Sequence, residues 1–124
     1  MRRNITNRLV VKGKSFFFVK IGLAGNVVKC KGMGGLLKEG AEMIETDAAD
    51  DVRDAGLIST AQRVEHYEIA AYGCARTYAE LIGDNEGASL LKATLTEEKV
   101  TDEKLTDLAR SINVDAEVAA AEGE

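Results

Sequence analysis

Residues 52–82 read VRDAGLISTAQRVEHYEIAAYGCARTYAELI, and this uninterrupted stretch decides the fold. Leu57, Ala61, Tyr72, Ala75, Ala79 and Ile82 lie on one stripe that advances in steps of three or four, the period of an α-helix. Only Gly56 and Gly73 weaken the run, and single glycines are tolerated inside a helix. At about 1.5 Å per residue, a helix from Val52 to Ile82 is roughly 45 Å long. The chain has no Pro, so nothing in it imposes a break on a long helix.

Working outward, Gly83 is a natural helix stop, and Asp84 or Asn85 can cap the next helix. This second long helix is expected over about Glu86 to Ile112, with Leu90, Leu91, Leu95, Leu105 and Leu108 as apolar members. A short helix or frayed tail is expected over Asp115 to Glu124. On the other side, residues 47–51 form an acidic connection in which Asp50 or Asp51 is placed to cap the central helix. Before it, Met33, Leu36, Leu37, Ala41 and Ile44 keep helical spacing with Glu39, Glu42 and Glu45 between them. Two long helices joined by a tight turn must run antiparallel, and neither can bury its stripe alone. The fold class is therefore all-α, an antiparallel helical bundle.

Charge divides the 124 residues unevenly. Residues 1–38 hold nine Lys and Arg and no acid, whereas the rest hold all 21 acids and seven bases. The sequence reads as an atypical basic segment over 1–28, with a short β-prone run at Phe16 to Val19, followed by a helical domain over 29–124. The apolar stretch from Phe16 to Val28 is broken by Lys20, Gly22, Gly25 and Asn26, short of the roughly 20 residues a membrane span needs. The same interruptions argue against a targeting peptide, and a cytoplasmic, reducing setting is expected for only two, widely spaced cysteines. Cys30 and Cys74 form neither a disulfide framework nor a zinc motif. Gly32-Met33-Gly34-Gly35 lacks the order of a phosphate-binding loop, so no small organic ligand is implied. No nucleic-acid module accompanies the basic segment.

The informative feature is which charges fall on the stripes. Glu65 and Glu68 sit in the middle of the first, and Glu98 and Asp102 in the middle of the second, which runs through Leu91, Leu95, Leu105 and Ala109. Buried carboxylates repel one another unless cations compensate, and Arg63, Arg76 and Lys99 point to other faces. A bound metal, with iron or manganese suited to hard oxygen ligands, is one solution. A solvated face or interhelical ion pairs is the other. His66 lies beside the stripe, as a surface residue or a partner to ligands.

The run Gln62 to Gly73, with Val52 to Ile58 before it, resembles the central helix of the YciE/YciF family of bacterial ferritin-like proteins. Leu95 to Thr106 resembles that family's following helix, and Cys30 to Glu42 its preceding one, so the likeness covers about 29–114. The resemblance implies a ferritin-like bundle of roughly five helices, usually a homodimer, with a di-iron-type carboxylate site and a ferroxidase or stress-protection role. Its implied ligands are Glu65, Glu68, Glu98 and Asp102, where Fe(II) would bind and be oxidised by dioxygen or peroxide. Two departures stand out: no Glu-x-x-His occurs, and residues 1–28 contain no Asp or Glu. A ferritin-like site draws ligands from four helices, so the bundle is expected to be incomplete at its N-terminal side. A helical stress or interaction protein without enzymatic activity is the competing expectation.

Overall fold

The computed structural model describes residues 29–122, in which three helices occur: α1 (Lys31–Ile44), α2 (Asp50–Leu81) and α3 (Asn85–Glu122). No strand occurs among the described residues, and no helix is long and apolar enough to cross a membrane. The basic segment and its β-prone run lie outside the described residues.

The turn between the long helices is explained by its residues. Gly83 adopts φ +76°, a conformation that a Cβ disfavours. This lets the Gly83 amide bond the Glu80 carbonyl (3.1 Å) and the Asp84 amide bond the Ala79 carbonyl (2.9 Å), the paired bonds of a Schellman end. Asp84 then accepts the Gly87 amide on Oδ1 at 3.0 Å and caps α3, as its sequence position suggests.

Two expectations need correction. The N-cap of α2 is Ala49, with no side-chain cap, and Asp50 and Asp51 occupy the first turn, where their charge faces the positive end of the helix. Asp50 is instead paired with Arg53. The second correction concerns α3, which has no break between Ile112 and Asp115. Asn113 and Asp115 are only mildly unfavourable in a helix, at about 0.5 kcal/mol each against better formers. With no Gly or Pro there, half-buried Ile112, Ala116 and Ala119 carry the stripe onward.

The register of contacts shows both packings to be antiparallel. Along α1, Cys30 Sγ lies 2.9 Å from the Tyr67 hydroxyl, Glu39 pairs with Arg63 at 2.7 Å, and Met43 sits where a Cβ on Gly56 would fall. The α2–α3 pair carries the core, a thin one of Ile58, Ala79, Ala88 and Leu95 with Thr60 and Glu98. Helix α1 contributes no buried residue. Beyond Tyr67, where α1 begins, one face of α2 is uncharged and exposed through Ala70, Ala71, Cys74, Tyr78, Leu81 and Ile82.

Candidate metal centre

The stripe residues end up where helical periodicity puts them. Leu57, Ala61, Glu65, Glu68, Tyr72 and Ala75 are half-buried on α2, and Leu95 and Glu98 are buried on α3. Ile82 is the exception: it is the residue that caps the C-terminal end of α2, and it is exposed.

Three of the four candidate ligands converge. One carboxylate oxygen from each of Glu65, Glu68 and Glu98 lies within 4.8 Å of the other two. Glu98 is 2% exposed, the largest side chain among the described residues to be this deeply buried. Its Oε1 and the Oε2 of Glu65 are buried without a hydrogen-bond partner. No base among the described residues offsets them: Arg63 is held by Glu39 at 2.7 Å, Arg76 by Glu80 at 2.8 Å, and Lys99 is exposed.

The electrostatic consequence is a strained acid pair. Burial, then the hydrogen bond and charge of Glu65, then the charge of Glu97, push the Glu98 carboxyl up to about 7. Burial also raises Glu65, reinforced by the charges of Glu68 and Asp102 and opposed by the hydrogen bond to Glu98. Below neutrality Glu98 thus holds a proton that an exposed carboxyl would already have released, and its hydrogen bond to Glu65 favours that form. Tyr72, one turn beyond Glu68, is raised by burial and by the charges of Glu68 and Glu98, which places its phenol in the same negative field.

Asp102 does not join the three, contrary to the sequence expectation. Its Oδ1 accepts a hydrogen bond from Gln62 Nε2 at 3.2 Å, and its Oδ2 lies 3.2 Å from His66 Nε2. The physical reason is the stagger of the two helices. Asp102 sits one turn, roughly 6 Å, past Glu98. There it meets the turn of α2 that carries Gln62 and His66. His66 is largely exposed and serves as a partner to a carboxylate, one of the roles its position beside the stripe allows. Gln62 is not singled out by the sequence because it is uncharged. Its signal is its spacing, one turn before His66 on the side of the stripe facing α3.

Oxygen-only donors, two of them orphaned and buried, suit a hard cation such as iron or manganese. Mid-helix carboxylates turned inward between antiparallel helices are a feature of the ferritin-like class of bundle. Within it, the chain belongs to the family described as a domain of unknown function, DUF892, whose model matches residues 16–119. It is 55% identical over 91 residues to Protein YciF of Escherichia coli (strain K12), covering 73% of this chain and 55% of that protein. The crystal structure of the E. coli stress protein YciF superposes with a TM-score of 0.70 at 53% identity, over 73% of this chain and 57% of the other. YcfI of Rhodopseudomonas palustris gives a TM-score of 0.67 at 38% identity, over 73% and 58%. The YciE/YciF resemblance is thereby established, and the chain spans just over half the length of these relatives.

Proposed function

We propose that the chain is a ferritin-like, stress-associated protein that binds iron, with manganese as a second candidate, through Glu65, Glu68 and Glu98. The carrying observation is the buried, unpartnered Oε1 of Glu98 opposite the unpartnered Oε2 of Glu65. A protein gains nothing in stability from such a pair, because desolvating carboxyl oxygens without partners costs about 1–3 kcal/mol each. A cation removes that cost by supplying the missing partner, and three carboxylates favour the more highly charged ferric ion over the ferrous one. Ferroxidase-type chemistry is the finer reading: Fe(II) is the substrate and gives up one electron to dioxygen or peroxide. A cytoplasmic setting fits two free thiols.

Anaerobic titration with Fe(II), followed by oxygen, tests this. Wild-type protein is expected to bind stoichiometrically and to develop near-ultraviolet ferric absorbance on oxygenation, and a Glu65→Ala/Glu98→Ala variant to do neither. Equal behaviour of the two proteins refutes the assignment.

A second reading, a helical interaction protein that acts as a homodimer, is favoured by the uncharged face of α2, where Tyr78 is 65% exposed, Leu81 82% and Ile82 65%. Contiguous apolar surface of this kind marks association sites. Sedimentation equilibrium is expected to give a dimer for the wild type and a monomer for a Tyr78→Glu/Leu81→Glu variant. A monomeric wild type rules this reading out.

A further inference from the structure

We propose that Gln62 and His66 clamp Asp102 outside the centre and so limit it to one cation per chain. The inference rests on the metal-binding reading above. Four stripe carboxylates would suffice to bridge a pair of ions, and the structure divides them into three and one.

The division is built in, because the two groups differ in how well their oxygens are satisfied. Both oxygens of Asp102 have a partner, Oδ1 in Gln62 and Oδ2 in His66. Glu65 and Glu98 each have an oxygen with none. Gln62 is held in the orientation it needs. Its Nε2 also donates to Thr106 Oγ1 at 2.9 Å, so its two amide hydrogens are both used, on residues one turn apart in α3. A flipped amide would turn its carbonyl oxygen toward the Asp102 carboxylate and lose that bond, because the carboxylate can only accept. Recruiting Asp102 to a second ion therefore means giving up charge-assisted hydrogen bonds as well as moving the carboxylate. Asp102 still acts on the centre from outside: its negative charge reaches Glu65, and this raises the field on a bound cation without adding a ligand. Residues 1–28 hold no Asp or Glu, so no further carboxylate comes from there.

Calorimetric titration of the metal-free full chain with Mn(II), read alongside electron paramagnetic resonance for coupled ion pairs, tests the clamp. Wild type is expected to take one Mn(II) per chain with an uncoupled spectrum. A Gln62→Leu/His66→Leu variant is expected to take two, with a coupled spectrum, and adding Asp102→Asn to that variant is expected to return the count to one. His66→Leu alone, at an exposed position, and Thr106→Val loosen the same clamp without touching the core. They are expected to admit a second, weaker ion. Two ions in the wild type, or one throughout the series, overturns the clamp and leaves the metal reading standing. No Mn(II) bound by any of these proteins overturns both.

Discussion

A Glu98→Met variant is expected to be more stable than the wild type without metal, by about 1–3 kcal/mol, and to lose cation binding by at least ~100-fold. The two effects have one origin. Glu98 is 2% exposed, its Oε1 lacks a partner, Leu95 is buried one turn before it on α3, and the Glu65 carboxyl approaches it from α2. Methionine fills a similar volume with a flexible apolar chain, so the substitution removes a desolvation cost without opening a cavity. Glu65 loses a hydrogen-bond partner, but the residue as a whole is less buried than Glu98, so its penalty is the smaller of the two. The gain on removing Glu98 therefore exceeds the loss at Glu65. Urea denaturation in the presence of a chelator measures the first effect, and Mn(II) calorimetry the second. A variant more than about 1 kcal/mol less stable than wild type would show that the Glu98 carboxyl already has a stabilising partner within the fold. A gain in stability on removing Glu98 would mark it as a residue that serves binding at a cost to the fold.

Much of the fold and centre is legible in the sequence because a helix exposes its stripe as a period. Spacing alone places Glu65, Glu68 and Glu98 on inward faces, and the conformational freedom of glycine with the capping ability of aspartate places the Gly83-Asp84 turn. The cap of α2 is harder to read, because three acidic residues in five positions offer equivalent candidates, and the chain uses Ala49 instead. The continuity of α3 through Asn113 and Asp115 is hidden for another reason: local propensity suggests an end there that tertiary packing overrides. The position of Asp102 is hidden because periodicity assigns a residue to a face but not to a height relative to the neighbouring helix. That height is set by the turn at 82–84 and is seen in Gln62 reaching both Asp102 and Thr106.

Acidity provides the second large effect, with opposite signs for the metal-free and metal-loaded proteins. In the fold Glu98 releases its proton near pH 7, whereas in the unfolded chain it does so near 4.5. Below the lower value both states are protonated and the group has no effect on the difference. As the pH rises from there, the unfolded state releases the proton and the folded state retains it, so the unfolded state gains relative to the folded one until the pH passes about 7. The metal-free protein is therefore expected to lose about 2–3 kcal/mol of stability from this group across that window and to level off above it. A cation reverses the trend, because it binds the ionised carboxylate and must displace the proton. Mn(II) affinity is expected to rise by nearly tenfold per pH unit up to about 7 and then flatten. Denaturation at pH 5 and pH 8, with chelator and then with saturating Mn(II), separates the two trends, and Glu98→Gln is expected to make the chelator series less steep because its side chain does not titrate. A wild type whose metal-free stability follows the same pH course as Glu98→Gln would mean that Glu98 titrates as an ordinary exposed carboxyl, and that the acid pair at the centre does not form.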